Sequence, residues 1–287
     1  MSVVEAGGKP IRAGSDAPAP LHRPRKRWTR FILPTYTWLM ILYLTLPVLV
    51  MILYSFNAIP TDRQTPKFWG FTLNWWKDPL GAAGLGEALR TTLTIAPLSA
   101  AIATALGTLL GLALGRYRFR GNAIVSFVIF VAIAVPEIVL GSSLLAMFVQ
   151  TRAVDIGFMT ILLSHIGFSI AFVAVTVRAR VQGLDRSLED AAQDLFANPI
   201  VAFFKVTLPI IAPAILAGFL LAFVLSLDDF VITNFVSGST ATFPVWVFGA
   251  TRIGLPPQVN VMGTVLFAAG ILAAVVSVLA GRRRSDA

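Results

Sequence analysis

Ser187-Leu188-Glu189-Asp190-Ala191-Ala192-Gln193-Asp194-Leu195-Phe196, followed at a distance by Val206-Thr207-Leu208-Pro209, is a charged island between long apolar runs. It is too polar to cross a bilayer, and its pattern is helical. Ser187 with Asp190 three residues on forms a capping pair that starts a helix. Leu184, Leu188, Ala191, Ala192 and Leu195 then share one face, with the acids and Gln193 opposite. Pro199 bars continuation, and a second short helix is expected over 200–206. An amphipathic helical hairpin held outside a bilayer implies a partner for its apolar face.

The surrounding composition fits that setting. The chain has 287 residues, 56% hydrophobic and 13% charged, with a mean hydropathy of +0.79. These values exclude an ordinary soluble domain and indicate an all-α membrane protein. No cysteine is present, so disulfides, thiolate metal sites and cysteine nucleophiles are excluded. His22 and His165 lie far apart and form no ligand cluster. No metal and no cofactor is expected. A Gly-x-x-x-x-Gly-Lys-Ser/Thr loop is also missing, so the chain has no phosphate cradle of its own and is not expected to be an enzyme.

About 20 apolar residues cross a hydrocarbon core. Six segments qualify as transmembrane helices: 31–56, 88–115, 122–150, 157–177, 210–236 and 259–280. The first thirty residues, rich in Pro, Gly, Ala and base, read as a disordered cytoplasmic tail and not as a cleaved signal peptide. The transmembrane domain is then 31–281, with the hairpin segment at 183–209 and a C-tail at 282–287. Of the 23 basic residues, 17 fall in the N-tail, the 116–120 loop, the 178–205 segment and the C-tail. Arg63, Lys67, Lys77, Arg152 and Arg252 occupy the opposite loops. This asymmetry places both termini and the hairpin in the cytoplasm. It also accounts for the net charge of +9 without a nucleic-acid partner. The first outer loop holds Trp69, Trp75 and Trp76, which read either as an interfacial aromatic belt or as a contact surface.

The hairpin resembles the coupling motif of ABC importer permeases, which runs Glu-Ala-Ala, three residues, Gly, nine residues, Ile-x-Leu-Pro. Asp190-Ala191-Ala192, Phe196 and Val206-Thr207-Leu208-Pro209 match its spacing throughout. Asp replaces Glu, Phe replaces Gly and Val replaces Ile. The family's glycine permits a left-handed turn that Phe196 resists. The expectation is therefore that Asn198 and Pro199 shift the turn by two residues and that Phe196 packs into the ATPase groove. Further stretches, 115–121 (Gly-Arg-Tyr-Arg-Phe-Arg-Gly), 135–141 (Val-Pro-Glu-Ile-Val-Leu-Gly) and 225–232 (Leu-Ser-Leu-Asp-Asp-Phe-Val-Ile), are similar to the second permease of spermidine/putrescine importers. The resemblance implies a type I ABC importer permease of the bacterial inner membrane. It implies as partners a homologous second permease, two cytoplasmic ATPase subunits that bind the ATP, and an extracytoplasmic polyamine-binding protein. It assigns ATPase coupling to Ser187, Asp190, Ala191, Ala192, Phe196, Leu208 and Pro209. Iron, thiamine and phosphonate importers share parts of the pattern, and an ion-gradient carrier is the alternative from another class.

Glu137, beside Pro136 and about midway along the third span, and Asp228 with Asp229 in the fifth are the acids inside the membrane. An ionised carboxylate there is costly unless it faces water or a partner. Polyamines are polycations, so these acids are the candidate substrate pathway. Asp228 and Asp229 point about 100° apart on a helix, so only one is expected to face the pore. His165 reads as an interhelical hydrogen-bonding group, and Gly107, Gly111 and Gly115 as a close-packing stripe.

Overall fold

A computed structural model describes residues 29–61, 63–185 and 187–285. The greater part of the two expected tails lies outside these residues, as does Arg186. Among the described residues the regular structure is helical, apart from one isolated antiparallel bridge between Asn57 and Phe71. The elements are α1 (Thr29–Tyr54), α2 (Asn74–Lys77), α3 (Leu85–Arg116), α4 (Asn122–Ala134), α5 (Glu137–Thr151) and α6 (Phe158–Gln182). They continue with α7 (Ser187–Asp194), α8 (Pro199–Ala202), a π-helical turn (Phe203–Thr207), α9 (Leu208–Asp228), α10 (Val231–Val236), α11 (Phe243–Ile253) and α12 (Gln258–Ser285). The residues up to Val50 form one compact unit and those from Met51 another.

Four stretches are long and apolar enough to cross a membrane: Phe31–Tyr54, Leu85–Arg116, Phe158–Gln182 and Pro199–Asp228. Two of the six expected spans depart from a straight helix. The third is split at Val135-Pro136 into α4 and α5, which meet at 107°, and counts as a fifth span only if the bent pair is taken together. The cause is Pro136, which has no amide to donate and whose φ of −57° and ψ of 133° is extended. Pro34, Pro47, Pro97 and Pro213, by contrast, are accommodated inside helices. The fifth span ends at Asp228, and its expected last turns are the separate helix α10. The sixth lies within α12, whose apolar stretch among the described residues is Gln258–Leu272.

The core of the second unit is a three-helix contact of α3, α6 and α9. Val173, Val177, Val181, Ile211, Ala100 and Ala222 form its buried centre. The glycine stripe of α3 sets its spacing. A Cβ on Gly107 would lie 2.6 Å from Val173 Cβ, and one on Gly111 2.8 Å from the Ala174 carbonyl oxygen. Backbones at that distance gain dispersion contacts that a side chain would forbid, which is how helices associate where lipid removes the hydrophobic incentive. A second cluster, with Ile95, Phe148, Ile161, Ile166, Ile232 and Val236, ties α5 and α10 to α3 and α6.

Gly111→Ala is therefore expected to lower the thermal unfolding temperature, at a cost of about 1–3 kcal/mol from overpacking against backbone. Gly167→Ala on α6, where nothing lies within 4 Å, is expected to be neutral or stabilising by up to about 1 kcal/mol. Thermal unfolding of the purified protein in detergent checks both.

Candidate functional site

Three features concentrate the chemistry: the α7–α8 hairpin, the α9–α10 break and the α4–α5 break. In the hairpin, the start of α7 differs from the expected capping pair. Ser187 lies inside the helix, and its amide donates to Asp185 Oδ1 at 3.0 Å. That bond holds the Asp185 carboxyl below the usual carboxylate range. Asp185 thus takes the capping role, because its carboxylate sits two residues before an otherwise unpaired amide.

The turn after α7 also corrects the expectation. Phe196 itself adopts the left-handed conformation, with φ of +63°. The Ala197 amide donates to the Ala192 carbonyl at 3.1 Å and the Phe196 amide to that of Gln193 at 2.8 Å. These two bonds are the Schellman pattern that usually recruits glycine. Asn198 does not take over the turn. Its backbone is extended, and its Oδ1 accepts the Val201 amide at 2.8 Å, capping α8 over Pro199. The motif's geometry survives the loss of its glycine, and the strain falls on a phenylalanine that is 99% exposed.

The leucines at α7 are uncovered, in keeping with a face offered to a partner, and the departure from the pattern is one of its acids. Leu188, Ala191 and Leu195 are exposed, as are Asp190 and Gln193, whereas Glu189 is buried. Its carboxylate accepts from Arg116 at the end of α3 and from the Thr207 hydroxyl at the base of α9. Glu189 therefore latches the hairpin to two spanning helices and leaves its apolar face free. No spacing rule connects residues 116, 189 and 207, so the sequence carried no signal for this latch. A groove of ≈ 360 Å³ lies beside it, between α3 and the hairpin, with Leu109, Arg116, Gln193 and Phe203 among its walls.

At the α9–α10 break the two neighbouring acids part. Asp229 is drawn inward: its Oδ2 accepts the Thr233 amide at 2.8 Å and the Thr233 hydroxyl at 2.7 Å, and Oδ1 accepts the Ile232 amide at 3.3 Å. It thereby caps α10. His165 Nε2 lies 2.9 Å from Thr233 Oγ1 and 3.3 Å from Asp229 Oδ2. Because the Thr233 proton is committed to Asp229, Nε2 must carry the ring's proton on that side. Nδ1, 2.6 Å from Ser226 Oγ, accepts from it when the ring is neutral, and Ser226 in turn accepts from Ser99 at 2.9 Å. His165 thus joins α3, α6, α9 and α10, as its interhelical reading expected. Asp228, the last residue of α9, is exposed and points elsewhere. Glu137 stands in the first turn of α5, exposed and without an ion pair among the described residues, directly after the 107° bend. It is not midway along a straight helix.

The tryptophans of the loop at 57–87 serve that loop. Trp75 Nε1 donates to the Asn57 carbonyl at 2.9 Å, Trp76 stacks on Phe56 at 5.3 Å, and buried Asn57 accepts the Trp69 amide at 2.8 Å. No group of three or more His, Cys, Asp or Glu residues that could hold a metal ion occurs among the described residues.

Comparison with known proteins gives these features a context. Residues 107–282 match the family described as binding-protein-dependent transport system inner membrane component. The chain is 40% identical over 234 residues to the Escherichia coli putrescine transport system permease protein PotI, covering 79% of this chain and 82% of that one. It is 37% identical over 244 residues to the E. coli spermidine/putrescine transport system permease protein PotC, covering 85% and 91%. Among solved structures, a bacterial ABC transporter involved in the import of the acidic polysaccharide alginate superposes with a TM-score of 0.66 at 15% identity, over 92% of this chain and 99% of that one. An amino acid ABC transporter superposes with a TM-score of 0.55 at 19% identity, over 69% and 93%. At those identities the likeness concerns the fold, which is the all-α type I architecture of ABC importer permeases. The chain belongs to the binding-protein-dependent transport system inner membrane components, as a permease subunit homologous to those of polyamine ABC importers.

Proposed function

We propose that this chain forms half of the translocation pathway of an ATP-driven polyamine importer in a bacterial inner membrane, with both termini cytoplasmic. In this reading a homologous permease supplies the other half, two ATPase subunits bind and hydrolyse ATP, and an extracytoplasmic protein delivers putrescine or spermidine. The orientation rests on the distribution of Lys and Arg. The polyamine substrate rests on the 40% and 37% identity to PotI and PotC. The observation that carries the coupling mechanism is the hairpin, which Glu189, alone of the acids of α7, latches inward while Leu188, Leu195 and Phe196 stay exposed. Fully burying a phenylalanine is worth roughly 1.5–3 kcal/mol, so this tip suits a groove on an ATPase subunit. Closure of the ATPases would then push on α3 and α9 together through Arg116 and Thr207.

Exposed Asp228 and Glu137 would face the cation along the pathway, each beside a helix break. Asp229 contributes by holding the break, with its oxygens occupied by α10 and His165. Carboxylates along the path offset the hydration a polycation loses on entry.

Vesicles containing the complete importer are expected to take up spermidine or putrescine only with ATP inside. Uptake driven by a proton gradient in the absence of the ATPases would overturn the proposal. Asp228→Asn and Glu137→Gln are each expected to lower uptake about tenfold at sub-saturating substrate, equivalent to about 1.4 kcal/mol, while the complex still assembles. Unchanged flux in both variants removes the acidic pathway.

Two hairpin variants separate docking from latching. Phe196→Ala is expected to weaken ATPase association roughly 10- to 100-fold, the scale of one buried phenylalanine, as read by co-purification at graded salt and detergent. Glu189→Ala is expected instead to speed amide exchange across 187–207 while the α3–α6 core stays protected. Equal protection in wild type and variant would show that the latch does not order the hairpin.

A further inference from the structure

Arg116, Tyr117, Arg118, Arg120, Asn122 and Arg178 border a cavity of ≈ 770 Å³ where α3 ends, α4 begins and α6 nears its last turn. The coupling and pathway readings make no use of it. Its shape comes from a tight link between two spanning helices. Tyr117 leaves α3 in an extended conformation, and the Asn122 side chain donates to the Tyr117 carbonyl at 3.2 Å. Gly121 has a φ of +103°, a conformation a side chain would strain. The loop thus bends sharply and places three guanidinium groups on successive alternate residues, 116, 118 and 120.

Among the described residues no carboxylate lines this cavity. Arg116 is engaged by Glu189 on the hairpin side, and Arg178 donates to Ser126 Oγ at 2.9 Å, a neutral partner. Arg118 and Arg120 are exposed and make no ion pair among the described residues. A guanidinium presents a planar fork of donors that matches a phosphate in two-point contact. Flanking the arginines, Tyr117 and Phe119 are 62% and 41% exposed. Aromatic rings beside bases at the end of a spanning helix occupy the headgroup level of a bilayer. The ligand chemistry that fits is a phosphate that arrives with an apolar body attached.

We propose that this cavity binds the phosphate of an anionic phospholipid headgroup, with Arg118 and Arg120 as its principal ligands, Arg178 behind them and the Tyr117 and Phe119 rings against the lipid's glycerol and acyl portions. Basic pockets between spanning helices on the cytoplasmic side are known to hold such headgroups. The site depends on the membrane placement of α3, α4 and α6 and is independent of the transported solute. It shares Arg116 with the Glu189 latch, so the lipid and the hairpin lie on two sides of one side chain.

The test uses the complete importer in detergent with phosphatidylglycerol, phosphatidylcholine or inorganic phosphate added. Binding is read by native mass spectrometry and by a headgroup-photoreactive phosphatidylglycerol mapped to peptides. Wild type is expected to retain phosphatidylglycerol over phosphatidylcholine and to cross-link within 116–122. Arg118→Gln with Arg120→Gln is expected to weaken that retention roughly 30-fold, the effect of two basic groups at an anionic surface. Arg118→Lys with Arg120→Lys is expected to restore only part of it, since lysine supplies the charge without the two-point fork, and unfolding temperatures should match throughout. Cross-linking that persists unchanged in the glutamine variant, or equal retention of phosphatidylcholine, overturns the proposal. Displacement by inorganic phosphate overturns the lipid source in favour of a free anion. Loss of ATPase association with lipid binding unchanged assigns the arginines to a protein contact and also overturns it.

Discussion

A backbone amide in hydrocarbon has no water to turn to, so each one must find a partner within the protein. This chain breaks two of its apolar segments, at Pro136 and at Asp229, and its organisation follows from how the freed groups are satisfied. At the first break Pro136 itself removes one donor, and its carbonyl accepts the Val139 and Leu140 amides at 2.9 and 3.1 Å. At the second, the first amides of α10 are taken up by a side-chain carboxylate. That carboxylate would be costly to bury alone, and His165 and the Thr233 hydroxyl offset its desolvation. Four helices meet at the result. The break is thus fixed by a network in which each member satisfies its neighbour, and removing one leaves the others unpaired at about 1–3 kcal/mol each.

The same logic separates two acids that are adjacent in sequence. Asp229 points into the network, while Asp228, one residue earlier at the end of α9, points out. One carboxylate builds the bend and the other is displayed by it. Glu137, by contrast, is the first residue of the helix after the other bend. Two interruptions of regular helix therefore carry exposed acids.

At the other end of the molecule, the hairpin shows how an unfavourable residue is retained. Phenylalanine in a left-handed turn costs of order 1 kcal/mol or more relative to glycine. The Schellman bonds of Phe196 and Ala197 and the Asn198 cap hold the turn in place despite this. Glu189 anchors the helix from its buried side. The exposed tip is then an apolar projection held by its own turn.

Much of this protein follows directly from its sequence. Hydropathy fixes the long apolar segments because a bilayer has a set thickness, and the basic asymmetry implies an orientation because positively charged loops stay on the cytoplasmic side. The spacing from Asp190 to Pro209 marks a hairpin because its helices and turn need that many residues. The glycine stripe announces close packing, since only a missing side chain allows it. Tertiary structure alone decided the rest. Leu188 and Leu195 read as a face offered to a partner and do lie outward, but only the structure shows that Arg116 and Thr207, 73 and 18 residues from Glu189 in the chain, draw that acid inward. Asp228 and Asp229 are indistinguishable by composition, and only His165 and Thr233 give one of them a structural task. Local pattern reports what a segment prefers, whereas a buried charge goes where its partners are, and those partners come from distant parts of the chain.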